Sequence, residues 1–236
     1  MSTDARLISP IAYIRTGFKN KFGIPRQSGR AKSLTGTVEF VPEWRCSDAI
    51  REIEGFSHLW LLFDFSEAHR EKMSPTVRPP RLGGNRRVGV FASRSPFRPN
   101  SIGLSCVKLE RVEQTADRGC VLVVSGVDLL DNTPIYDIKP YIPYADCVPD
   151  AVGGYADAAA DHCLEVDFPE ELLLKVPSEH REALVALIRD DPRPSYQDDP
   201  KREYTITYGG VETDFNISGG TATVYCVRPP RDTSEK

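Results

Sequence analysis

The sequence is short of several features, and each shortage removes a class of explanation. It holds no apolar run near the roughly 18–20 residues of a membrane-crossing helix. Its first ten residues, MSTDARLISP, include an acid and no continuous apolar stretch, so no secretory leader is expected. The six cysteines (Cys46, Cys106, Cys120, Cys147, Cys163, Cys226) are scattered without a C-x-x-C pair. That usage suits reduced thiols in the cytoplasm better than a disulfide frame or a zinc site. The four histidines have no ligand spacing, and no metal is expected. His58 sits inside an apolar strand pattern and reads as a satisfied core histidine. There is no G-x-G-x-x-G unit, P-loop, G-x-S-x-G elbow or H-E-x-x-H, which disfavours the usual dinucleotide and hydrolase routes.

What the chain does have is local charge. The formal net charge of −4 hides a sharp division. Residues 5–36 hold seven Lys/Arg and no acid, and residues 70–100 hold eight Lys/Arg against Glu71 alone. The remainder is therefore strongly acidic. Two basic stretches rich in Gly and Pro favour convergence on an anionic partner, with a polyanion first among the choices.

At 236 residues the chain has room for one domain of about 150 residues and a smaller one. Strand patterns occupy residues 7–14, 34–41, 56–65, 88–93, 104–112, 120–127 and 135–139, with almost no helical period between them. Ser47 is placed to cap a short helix that ends at Gly55. FSHLWLLFDF, residues 56–65, is apolar enough to run through the centre of a sheet. Short strands separated by turns predict a mainly β fold, with a small closed barrel over residues 1–145. A connection and strand follow over 146–168, and a smaller α+β unit over 169–236. In that unit Ser178 precedes a helical pattern with Leu184, Leu187 and Ile188, stopped by Pro192 and Pro194. Three strand-like runs joined by Gly209-Gly210 and Gly219-Gly220 complete it.

Four stretches carry ligand-type chemistry. The most concentrated is residues 88–103, VGVFASRSPFRPNSIG, where two prolines stiffen a loop bearing Arg94, Arg98 and Asn100. Such a loop loses little entropy on ordering and holds its guanidinium groups ready for a carboxylate, a phosphate or a base. The others are Pro25-Arg26-Gln27, the Arg-, Pro- and Gly-rich residues 78–87, and residues 126–141, GVDLLDNTPIYDIKPY. The last stretch gathers Asp128, Asp131 and Asp137 around a turn. Asp131 reads equally well as a turn-closing residue, and Asp137, within an apolar run, calls for a partner such as Lys139.

Together GIPRQSG, EGFSHLWLLFDF, RPPRLGGN, GVFASRSPFRPNSIG, DLLDNTPIYDIKPYIPYAD and DPRPSYQ make the chain resemble the TsaA/TrmO family of S-adenosylmethionine-dependent tRNA methyltransferases. The resemblance runs from about Arg6 to the C-terminus. It implies methylation of N6 of N6-threonylcarbamoyladenosine, the modified adenosine just 3′ of the anticodon. It also implies a non-Rossmann β-barrel and a homodimer with the cofactor near the subunit interface. Cofactor contacts carried over residue by residue are Pro25, Arg26, Gln27, Ser66, Glu67, Arg94, Leu104, Ser125, Gly126, Val127 and Asp128. Many relatives have His after the central F-x-F, where this chain has Ser66.

S-adenosylmethionine brings its own leaving group, so alignment and exclusion of water suffice, and no nucleophilic side chain is needed. The N6 proton requires an acceptor, for which Asp137 and Asp128 are candidates, with Lys139 alongside. Lys139, Arg26 and Arg98 are candidates for pairing the threonyl carboxylate. Arg81, Arg86, Arg98, Asn100, Tyr141, Arg193 and Tyr196 are expected against the anticodon loop of tRNA. Two rival readings remain at this level: a non-catalytic β-barrel that binds RNA or a nucleotide, and a methyltransferase for a small molecule.

Overall fold

The computed structural model describes residues 7–79, 82, 86–159, 163–193, 197 and 199–231. It is mainly β. Strands β1 (Ala12–Thr16), β2 (Thr35–Phe40), β3 (His58–Asp64), β6 (Ile102–Thr115), β7 (Gly119–Ser125) and β8 (Thr133–Pro140) close a barrel in the order β1-β2-β7-β6-β3-β8. All neighbours in it are antiparallel. Alternate residues of each strand point inward, so Ile14, Val38, Leu59, Leu61, Leu122, Val124 and Ile135 form a dry interior. Closure leaves no edge for a further strand.

That closure explains the main departure from the sequence expectation. Residues 88–93 do not make a buried strand. Only Val88–Gly89 (β5) pairs, with Thr76–Val77 (β4), as a separate two-stranded ribbon. Val90–Ala92 then forms a 3-10 turn, in which Val90 is buried and Phe91 is 79% exposed. The first strand begins at Ala12 rather than residue 7, and Leu7 is exposed. Ser47 caps no helix: 3-10 turns at Ser47–Ile50 and Ile53–Gly55 are separated by Glu52 at φ 68°. His58 is not a core residue; it lies half-buried on the barrel's outer face, 2.9 Å from the Ser57 hydroxyl. The apolar run around it is paired on both sides, yet Trp60 and Leu62 face outward and stay half-buried.

After a short helix α1 (Pro143–Asp146), β9 (Glu165–Asp167) joins β10 (Glu203–Tyr208), β11 (Val211–Ser218) and β12 (Thr221–Arg228) in a sheet ordered β10-β11-β12-β9. Gly209-Gly210 and Gly219-Gly220 all have positive φ, the requirement of tight hairpin turns whose twist matches the strands. Helices α2 (Glu170–Leu173) and α3 (Arg181–Arg189) accompany this sheet. Helix α3 buries Ala183, Leu184, Leu187 and Ile188. The Ser178 hydroxyl bonds Glu179 instead of capping it, and the helix ends before Pro192, with Asp191 at φ 51°.

The barrel and the second sheet share one hydrophobic core. The connection between β1 and β2 forms the seam. Phe18 bridges to Tyr208, with ring centroids 5.0 Å apart, and Phe22 lies parallel to Tyr204. At Gly17 any Cβ would sit 2.6 Å from the Tyr208 ring, so glycine is what permits the approach.

Candidate active site

Strands β1, β3 and β7 run in one direction, and β2, β6 and β8 return. The connections β1–β2 (residues 17–34), β3–β6 (65–101) and β7–β8 (126–132) therefore emerge at the same rim. The topology thus brings three of the four chemistry-bearing stretches to one end of the barrel, together with the first part of the fourth.

Strand β6 overhangs that rim. It pairs with β3 from Ile102 onward but with β7 only from Lys108, where β7 ends opposite it at Ser125. The gap in the wall is filled by two loop segments. The Cys106 amide donates to the Ser28 hydroxyl at 3.2 Å, and the Gly29 amide to the Gly126 carbonyl at 2.9 Å. Gly126 has φ 73°, and a Cβ there would lie 3.3 Å from the Gly29 Cα; both facts demand glycine.

Asp128 reaches inward from this patch. The Ser105 hydroxyl, on the inner face of β6, donates to Asp128 Oδ1 at 2.6 Å, and the Ser28 amide donates to the same carboxylate. Part of the residue reaches the surface, but the carboxyl itself is enclosed. Burial pushes its pKa up to about 6, against the opposing pull of those hydrogen bonds and of the Arg94 charge. Arg94 donates to Gln27 Oε1, and Gln27 in turn donates to the Arg26 carbonyl. Arg26 Nη2 donates to the Arg193 carbonyl at 2.7 Å, and Arg193 is ion-paired with Asp191 at 3.0 Å. A relay of polar contacts thus links the barrel mouth to the C-terminal unit. Pro25 is buried beside it, and Leu104, 55% exposed, offers an apolar surface at the rim.

The expected residues divide accordingly. Pro25, Arg26, Gln27, Arg94, Leu104 and the backbone of Ser125, Gly126, Val127 and Asp128 lie at this mouth. Ser125 turns its hydroxyl outward to Glu110. Ser66 and Glu67 follow β3 at the same rim, Glu67 paired with Lys21 at 2.9 Å. Arg98 braces its own loop through the Ser93 carbonyl at 3.2 Å, and Asn100 and Arg86 are exposed.

Asp137 and Lys139 are not with Asp128. They lie on the outer wall, opposite Leu62 and Trp60, ion-paired to each other at 2.9 Å and both well exposed. Asp131 accepts from the Thr16 amide and Lys19, tying the loop to β1. Tyr141 stands beyond the other end of β8, against Trp60 and His58. Arg81 and Tyr196 lie outside the described residues.

Two contributors escaped the sequence reading, Ser28 and Ser105. Ser105 carried a usable signal: it is the polar residue in the inward series Gly103, Ser105, Val107, Leu109. Among the described residues no three His, Cys, Asp or Glu side chains converge as a metal site, and none of the six cysteines is in a disulfide.

The model of the tRNA-methyltransferase O N-terminal domain matches residues 13–147, and that of the TrmO C-terminal domain matches residues 161–230. A tRNA (adenine(37)-N6)-methyltransferase of Escherichia coli K12 is 44% identical over 215 residues, 88% of this chain and 89% of that protein. A putative S-adenosylmethionine-dependent methyltransferase, RcsF, of Pseudomonas aeruginosa is 47% identical over 218 residues, covering 89% and 91%. The crystal structure of TrmO from Pseudomonas aeruginosa superimposes with a TM-score of 0.76 at 34% identity, covering 95% of this chain and 99% of that one.

Proposed function

Since the chain belongs to the TrmO family, we propose that it methylates N6 of N6-threonylcarbamoyladenosine beside the anticodon of tRNA, with S-adenosylmethionine as donor. The observation that carries the reading is the Asp128 carboxyl at the barrel mouth, held by Ser105 and raised to about 6. N6 of this nucleoside belongs to a urea, so its lone pair is delocalised and its proton must leave as the new bond forms. A carboxylate of that pKa is ionised at neutral pH, yet more basic than an ordinary one, which suits it to accept that proton. Asp137, salt-bridged on the outer wall, has no such setting.

The donor set at the mouth fits S-adenosylmethionine. Arg94 and Gln27 present a guanidinium and an amide, Leu104 an exposed apolar face, and residues 126–128 backbone polar groups beside the Asp128 carboxylate. Pro25, Arg26, Gln27, Ser66, Glu67, Arg94, Leu104 and residues 125–128 would hold it. When bound it supplies an activated methyl on sulfonium with its leaving group attached. The protein's own work is to orient N6, take its proton and exclude water.

Arg26 and Arg98 sit on rim loops and are the cations assigned to the threonyl carboxylate; Lys139 is engaged with Asp137. Exposed Ile102 and Leu104, beside half-buried Leu62 and Trp60, support a homodimer through the outer face of β6 and β3. No helix among the described residues is long and apolar enough to cross a membrane. A tRNA substrate fits work in the cytoplasm.

The test compares methyl incorporation into one tRNA with and without prior threonylcarbamoylation. Leaving a site cation unpaired costs on the order of 2–5 kcal/mol, so the unmodified transcript is expected to react roughly 30-fold to several thousand-fold more slowly. Equal rates would overturn the substrate assignment. Absence of any methyl transfer would return the chain to a binding role.

A further inference from the structure

The 3-10 turn Val90–Ala92 carries a large aromatic side chain into solvent on the connection that also bears Arg94. Phe91 is 79% exposed. A single exposed apolar residue is ordinary on a protein surface, and Phe91 is set apart by what holds it. On one side the ribbon of β4 and β5 ends at Gly89, and Val90 is buried, its amide donating to the Pro75 carbonyl at 3.0 Å. On the other, the Ser93 amide and hydroxyl both donate to the Val90 carbonyl, at 3.2 and 2.8 Å. Arg98 donates to the Ser93 carbonyl at 3.2 Å, and the Tyr155 hydroxyl to the Ala92 carbonyl at 2.8 Å. The backbone is therefore fixed on both sides of a ring whose face is open.

We propose that Phe91 is a stacking platform for one unpaired base of the substrate RNA, a nucleotide neighbouring the one that is methylated. The inference rests on tRNA being the substrate. Bases splayed from an RNA loop are held by stacking on aromatic side chains, and a platform fixed beforehand loses little entropy when it is covered. Charge selects nucleic acid over a second copy of the chain. Residues 70–100 hold eight Lys/Arg against Glu71 alone, so two such surfaces brought together repel, whereas RNA phosphates are attracted. The Arg70 guanidinium lies over the Phe97 ring at 3.6 Å, and Arg87 donates to the Thr76 hydroxyl at 3.2 Å, which keeps two of those charges in set places. Asp157, two residues from Tyr155, accepts from the Gly153 amide of its own loop at 3.0 Å. Position supports the same occupant. Phe91 and Arg94 are three residues apart, at most about 11 Å even if fully extended. Arg94 in turn reaches Gln27 at the barrel mouth. One RNA loop can therefore engage both places. With a neighbouring base on Phe91, the target base is set in register at the mouth, and one connection serves both donor and RNA.

The experiment measures binding of a threonylcarbamoylated anticodon stem–loop carrying 2-aminopurine at successive loop positions, together with calorimetric binding of S-adenosylmethionine. Wild type is expected to quench 2-aminopurine at one loop position outside the target nucleotide. Phe91→Ala is expected to weaken RNA binding roughly 5- to 150-fold and to abolish that quench, the scale of one lost base–aromatic stack. Phe91→Leu, apolar but without a flat face, should recover less than half of the loss in logarithmic terms. Phe91→Trp should restore both affinity and quench. Donor binding should stay within about twofold of wild type in all three, and the thermal midpoint should not move, since the ring is exposed. RNA binding within about twofold of wild type in both Phe91→Ala and Phe91→Leu would overturn the platform even if methylation is normal. A change of association state by sedimentation in Phe91→Ala, with RNA binding and quench kept, would assign the ring to a contact between copies and overturn it too. Conversely, a protein that transfers no methyl but loses RNA binding and quench on Phe91→Ala would remove the reaction and keep the platform. A wild type that binds no RNA removes both.

Discussion

Replacing Asp128 by Asn should make the protein more stable and inactive at the same time. The wild-type carboxyl titrates near 6 in the folded chain against an ordinary value of 3.8, chiefly because its ionised form is poorly solvated at the barrel mouth. Below about pH 3.8 both folded and unfolded states hold the proton, and there is no penalty. Between that point and about 6 the unfolded chain ionises while the folded one does not, so folded stability falls as pH rises. Above about 6 the full cost is present: roughly two units at 1.36 kcal/mol each, or about 3 kcal/mol as an upper bound. Asn avoids that cost and can still accept from Ser105 through Oδ1. At pH 7.5 the variant is therefore expected to unfold up to about 3 kcal/mol later than wild type in urea, and its margin should shrink towards zero by pH 4. Methyl transfer should fall by at least 100-fold, the scale of a lost general base. In wild type, the rate should rise with pH through an apparent pKa near 6. A variant no more stable at pH 7.5 than wild type, or one that still turns over at a comparable rate, would refute both the burial argument and the base assignment.

Other perturbations follow from the same geometry. Arg94→Ala is expected to abolish donor binding by calorimetry while melting within about 0.5 kcal/mol of wild type, because Arg94 is exposed and on a loop; normal binding would exclude Arg94 from the site. Gly103→Ala puts a Cβ 2.2 Å from the Phe63 ring inside the barrel and should cost about 1–3 kcal/mol in thermal or urea unfolding. A second change, Phe63→Leu, should restore part of that loss, and failure to do so would mean the clash is relieved elsewhere. Gly17→Ala meets Tyr208 at 2.6 Å and should cost a similar amount; an unchanged midpoint would show that the seam is looser than its contacts indicate.

Much of the fold was written plainly in the residues. The β3 alternation Leu59, Leu61, Phe63, the glycine pairs of the C-terminal hairpins and the Leu184, Leu187, Ile188 face of α3 all follow their expected periods. What could not be read was pairing. Residues 88–93 have strand-like composition, but a closed barrel has no edge to offer them. The mouth was legible as a set of loops because polar and glycine residues cluster there. Which aspartate belongs to it was not. Ile135 points inward, and strict alternation would send Asp137 the same way. A bulge opposite Leu62 and Phe63 inserts one extra residue, so Asp137 pairs with Leu62 and turns outward, while Ile138 pairs with Leu61 against the core. One added residue reverses the face of everything beyond it, and no local pattern announces it.

The seam at Phe18 and Tyr208 also makes the two halves listen to each other. The connection that carries Pro25, Arg26 and Gln27 to the barrel mouth is the same one whose aromatic rings pack into the second sheet. A molecule that immobilises the first should therefore slow deuterium uptake in the second. Amides of β10, on the other side of that seam, are expected to gain protection when the mouth is filled. By reciprocity, loosening β10 should weaken the mouth's hold on whatever fills it.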